Sequence, residues 1–178
     1  MEEIEVPLEQ VQEHMRHAAH EKPDKWIGQI ALFSAIVAVI AAVAALLAGH
    51  HSNEAMITQI KASDSWGYYQ AKGIKANMLQ IKVQLLIELG KDVFKQDDEK
   101  LAVYKKEQEE ISEKAKEFEH ESAYHLAVHQ ILARAVTLFQ VAIAIAAITI
   151  LTRQKKVLFV SFGFSLLGLI FFLQALLK

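Results

Sequence analysis

Eight histidines stand out in a chain of 178 residues that contains no cysteine. Imidazoles one helical turn apart can share a metal ion. His125 and His129 have that spacing, and His14, His17 and His20 repeat at i, i+3 and i+6 beside Leu8, Val11 and Met15. His50 and His51 add an adjacent pair. Imidazole also titrates near neutral pH, so the same residues are candidates for pH sensing. A solvated or hydrogen-bonded role is the alternative. Nothing else in the chain has the spacing of a catalytic site. There is no carboxylate–histidine hydrolase motif, no glycine-rich phosphate loop, no nucleophile elbow and no pair of carboxylates in an apolar setting. The sequence therefore predicts no enzyme, no cofactor and no metal site, with His125 and His129 as the residual metal candidates.

The elements that would position these residues follow from segregated composition. Hydrophobic residues make up 53% of the chain and charged residues 22%. The net charge of −2 leaves no dominant basic surface, which excludes nucleic acid as a partner. Two prolines and seven glycines leave little loop material, so an all-α protein is expected. No charge occurs in 27–49, 135–152 or 157–177. Roughly 20 apolar residues at a rise of about 1.5 Å each cross a bilayer core. The expectation is an integral membrane protein with three spans, in contact with the lipid bilayer. Its divisions are an N-terminal amphipathic segment 1–26, a first span 27–49, an extramembrane segment 50–133, a second span 134–152, a turn 153–156 and a third span 157–178. The long acidic flank before the first span argues against a cleaved signal peptide. Trp26 suits the membrane interface, and Ser34, Ala38, Ala42 and Ala45 would let helices approach closely. Arg153, Lys155 and Lys156 form the densest positive cluster beside a span, which places that turn and the N-terminus in the cytoplasm. The segment 50–133 is then periplasmic. Arg134 opposes this orientation.

The extramembrane segment carries two heptad seams. Ile57, Ile60, Asp64, Gly67, Ala71, Ile74, Met78, Ile81 and Leu85 alternate spacings of three and four. Gly90 stands where a helix stops, and Asp97 and Asp98 offer the next N-cap. A second seam runs through Leu101, Tyr104, Gln108, Ile111, Ala115, Phe118, Ser122, His125, His129 and Leu132. Together they predict a coiled-coil-like antiparallel hairpin with arms of about 35 residues, roughly 50 Å long. Folding the seams together pairs Leu85 with Tyr104, Met78 with Ile111 and Ala71 with Phe118. Asp64 then meets His125 as a register-fixing polar pair, unless both side chains reach water. The first arm also carries a further stripe of Ala62, Trp66, Tyr69, Gly73, Ala76, Gln80, Val83 and Ile87, whereas the second arm is charged away from its seam. A helix with two apolar stripes needs two partners. Trp66, Tyr69, Gly73, Ala76 and Val83 are thus candidates for an interface between copies of the chain, the alternative cover being the N-terminal segment.

The stretch ASDSWGYYQAKGIK at 62–75 resembles the signature of the bacterial membrane protein family known as domain of unknown function 4337. Residues 49–55, GHHSNEA, and 131–135, ILARA, are similar to it too. The resemblance implies a bacterial membrane protein with this order of spans, and no activity. The functional expectation is a homo-oligomeric scaffold of the inner membrane displaying a helical hairpin. The alternative is a channel or transport subunit with a pore on the oligomer axis, lined by Thr137, Gln140 and Thr149. A metal- or pH-sensing membrane protein ranks third.

Overall fold

A computed structural model describes residues 25–178. The segment 1–24, with His14, His17 and His20, lies outside the described residues. The described chain is all-helical: α1 Lys25–Glu88, α2 Lys95–Thr152 and α3 Lys155–Leu176. Both prolines, Pro7 and Pro23, precede α1, so no described helix loses a backbone donor to proline. Each of the three helices contains a stretch long and apolar enough to cross a membrane. The boundaries expected at 49 and 134 are changes of hydropathy within α1 and α2, not helix ends.

The helix ends have identifiable chemistry. Gly90 adopts φ +66°, a left-handed conformation that an L side chain resists. The Lys91 amide donates to the Leu86 carbonyl at 2.9 Å and the Gly90 amide to Ile87 at 3.0 Å, the Schellman pattern that satisfies the last carbonyls of α1. The start of α2 differs from expectation. Asp97 does not cap the helix but sits in its first turn, where a carboxylate complements the helix dipole. The connection between α2 and α3 is only Arg153 and Gln154. Lys155 and Lys156, expected in the turn, open α3 instead.

Contacts divide the chain into two units. The first, the membrane unit, joins the described residues up to His51 with Ala127–Lys178. Its core runs in three successive clusters. Ile27 and Ile30 meet Ala146, Ala147 and Ile150. Val37, Ala41 and Ala44 meet Ala135, Phe139 and Ile143. Ala48 meets Val128, Leu132 and Ala175. On the α1 side the small residues Ala41, Ala44 and Ala48 follow the larger Ile27, Ile30 and Val37, and allow close helix approach. Of the small residues expected to allow close approach, Ser34 is buried and Ala38 half-buried in this unit, whereas Ala42 and Ala45 are exposed. On α3, Gly168 makes room for the buried Phe139 ring: a Cβ there would lie 2.9 Å from it. The buried Ser161 Oγ donates to the Ala142 carbonyl at 2.6 Å.

The second unit, Ser52–Leu126, contains the rest of α1, the start of α2 and the loop between them. Ala55, Thr58, Ala62 and Ala76 are buried on α1, and Ala115 and Ser122 on α2. These small side chains bring the two backbones close enough for Ser122 Oγ to donate to the Ala55 carbonyl at 2.8 Å.

Candidate functional site

The residues of the 62–75 stretch form a polar clasp within the Ser52–Leu126 unit. Trp66 Nε1 donates to Glu119 Oε1 at 2.8 Å, and its ring meets Tyr69 edge-on with centroids 5.5 Å apart. Gln108 Nε2 donates to the Tyr69 carbonyl at 3.3 Å, a bond that lies against Gly73 because that residue has no side chain. Lys72 donates to Glu107. Its ammonium also stands 5.4 Å from the centre of the Tyr68 ring and 5.3 Å from that of Tyr104. The hydrogen bond to Glu107 stabilises the charged lysine and holds its pKa above the ordinary value, against the desolvation that lowers it. Further along, Lys82 donates to the buried Asp97 carboxylate at 2.7 Å. Lys61 lies 5.7 Å from the Phe118 ring centre.

These contacts correct the register expected from the seams. Phe118 was expected opposite Ala71, yet it receives Lys61, ten positions earlier (71 − 61), or about 15 Å along a helix. Asp64 consequently lines a surface recess with Lys61, Ser65, Tyr68, Ile111, Lys114 and Phe118. His125 lies one turn beyond Ser122, at the level of Ala55, with its ring against Tyr124 at 5.4 Å. The expected Asp64–His125 pair is therefore separated along the unit, and the polar clasp takes over the role of setting register.

They also reverse the assignment of the two stripes on α1. Trp66, Tyr69, Gly73, Ala76 and Val83, expected between copies, lie on the face turned to α2 of the same chain. Trp66, the Tyr69 carbonyl and Gly73 engage Glu119 and Gln108, Ala76 is buried and Val83 is half-buried. The uncovered stripe is the other one. Ile57, Ile60, Ile74, Met78, Ile81 and Leu85 are between 44% and 68% exposed. The seam expected on α2 is the packed one, since each of its residues from Leu101 to Ser122 is buried or half-buried. The sequence signal that would have separated the stripes was the run of small residues Ala55, Ala62, Gly73 and Ala76. Only that face lets a second backbone approach closely.

The histidine candidates have packing roles in the membrane unit and beside it. His129 Nδ1–H donates to the Ala48 carbonyl at 2.8 Å, which commits that nitrogen. His50 and His51 stack edge-on at 5.6 Å. Among the described residues no group of three or more His, Asp or Glu side chains is arranged to hold a metal ion. Of the polar residues expected to line a pore, Thr149 is fully buried within its own chain and donates to the Ile145 carbonyl. Thr137 is exposed and donates to the Ala133 carbonyl.

Among the described residues, three helices each hold a stretch long and apolar enough to cross a membrane, with a charged helical segment between the first two stretches, the composition of a multi-span membrane protein. Residues 26–178 match the family model described as a domain of unknown function, DUF4337. The chain belongs to that family. No curated protein and no solved structure matches it.

Proposed function

We propose that the chain is a homo-oligomeric structural component of the bacterial inner membrane, displaying its Ser52–Leu126 unit as an antiparallel helical hairpin on the periplasmic side. The hairpin reading is supported by the succession of contacts. As α1 partners rise from Ala55 through Lys72 to Lys82, their α2 partners fall from Ser122 through Glu107 to Asp97. The carrying observation for assembly is the exposed apolar stripe of α1 in an otherwise charged segment. Contiguous apolar surface of that kind marks an interaction site. A structural role is favoured by Trp66, Lys72, Lys82, Gln108 and Ser122, whose polar groups join the two helices.

Two measurements test the proposal. Native mass spectrometry of the full chain in detergent should show several copies per particle, and uniform single chains would overturn it. A cysteine introduced at Phe94, in a chain with none of its own, should react with an impermeant maleimide added to intact spheroplasts. Reaction only after the membrane is opened would place the hairpin in the cytoplasm. A water-filled axis in the assembled protein would favour a transport subunit instead.

A further inference from the structure

We propose that three or more copies of this chain associate side by side, in parallel, through the exposed α1 stripe from Ile57 to Leu85. The inference rests on the assembly reading above and specifies its surface, direction and order. In the heptad frame, Ile57, Asp64, Ala71, Met78 and Leu85 take a positions, and Ile60, Gly67, Ile74 and Ile81 take d positions. All nine are exposed in the Ser52–Leu126 unit. The face covered by α2 begins two positions earlier, at Ala55, which on a helix is about 200° round. The uncovered stripe is thus nearly opposite the covered one, and of its residues Asp64 borders the recess shared with Ile111, Lys114 and Phe118 of α2.

Its period carries information. A straight α-helix drifts about 20° per heptad against a strict seven-residue repeat. A stripe kept on that repeat from Ile57 to Leu85 suits a supercoiled partner of the same period rather than a flat surface. The sequence holds the frame more widely: Leu32, Ile36, Val39, Val43 and Leu46 fall in it, and each is exposed in the membrane unit taken by itself.

Charge selects the direction. Lys61, Tyr68, Lys75 and Lys82 flank the stripe at e positions, and Ser63, Gln70, Asn77 and Gln84 at g positions. In a parallel bundle e faces g of the next copy, so Lys75 meets the amide oxygen of Gln70 and Tyr68 meets Ser63, while Lys82 keeps its bond to Asp97 of its own chain. In an antiparallel pair overlapping from Ile57 to Leu85 e faces e, and Lys61 opposes Lys82. Copies inserted the same way into one bilayer are also parallel by symmetry. Core shape selects the order. Isoleucine at d with Met78 and Leu85, which carry no branch at Cβ, at a disfavours two-stranded packing and favours three or four strands. Asp64 is the flaw in the core, since parallel copies bring these carboxylates together.

The test uses the full chain in lipid nanodiscs, with single cysteines at Ile60, Leu85 or, as a control on the charged outer face of α2, Glu109. Mild oxidation should link Ile60→Cys to Ile60→Cys and Leu85→Cys to Leu85→Cys, and leave Glu109→Cys unlinked. An antiparallel pair can give at most one of the two links. Native mass spectrometry should count at least three chains. Met78→Glu with Ile81→Glu should release smaller species while the circular dichroism of the helices is unchanged. Asp64→Leu should tighten association by tenfold or more, an outcome that misfolding cannot mimic. Oligomers without links at Ile60 and Leu85 would overturn this surface and leave the assembly standing. Dimers would overturn the order, and single chains would remove both readings.

Discussion

Ala62→Leu and Ala71→Leu are the same chemical change placed on opposite faces of α1, and the structure separates their outcomes. Ala62 is completely buried on the face turned to α2, in a layer that also holds the completely buried Ala115. Leucine adds three carbon atoms where no space exists. The helices must separate locally or the side chain must leave its favoured rotamer, and such overpacking costs about 1–3 kcal/mol. The change in helix propensity is a few tenths of that at most, so packing decides the sign. Ala71 is exposed, on the stripe turned away from α2. A surface substitution of this kind stays within about 0.5 kcal/mol. Hydrogen–deuterium exchange of the full chain in detergent reads local opening directly. Every 1.4 kcal/mol is about tenfold in an equilibrium, so Ala62→Leu should reduce amide protection across Ser52–Leu126 by roughly 5- to 150-fold. Ala71→Leu should leave protection unchanged or raise it. Loss of protection in Ala71→Leu with none in Ala62→Leu would refute the assignment of the two faces and restore the pairing of Ala71 with Phe118.

Three further substitutions probe other joints. Gly90→Ala forces a left-handed φ on an L residue, and should cost about 1–2 kcal/mol, read as faster exchange of the amides from Leu86 to Lys91. Gly168→Ala drives a methyl group into the buried Phe139 ring and should lower the thermal stability of the membrane unit in detergent by about 1–3 kcal/mol. By contrast, the methyl group of Gly73→Ala meets only the end of the Gln108 side chain, and the gain in helix propensity offsets loss of its bond to the Tyr69 carbonyl, so the melting temperature should stay nearly level. The Lys72–Glu107 pair adds a pH dependence. A lysine whose pKa is raised on folding contributes stability that is fully present below its ordinary value and lost as pH rises through the folded one. Melts monitored by circular dichroism should therefore show the gap between wild type and Lys72→Met constant through neutral pH. The gap should close only in the strongly alkaline range, and its closing near neutrality would refute the assignment.

Much of this protein is written locally. The three apolar stretches announce membrane helices because a lipid core admits only backbone that bonds to itself. Gly90 announces the end of α1 because its conformation excludes other residues. The α2 seam was legible for a related reason: that helix has a single apolar stripe from Leu101 to Ser122, so there is only one face to bury. On α1 the sequence offers two stripes with the same heptad spacing, and periodicity cannot rank them. Tertiary structure ranks them by approach distance. Ala55, Ala62, Gly73 and Ala76 admit the second backbone, whereas Ile57, Ile74, Met78 and Leu85 would hold it away. Register escaped the sequence too, because seams of equal period slide by a heptad at little cost in apolar contact. It was decided by polar pairs far apart in the chain, Trp66 with Glu119, Lys72 with Glu107 and Lys82 with Asp97, whose geometry exists only once the two helices have met.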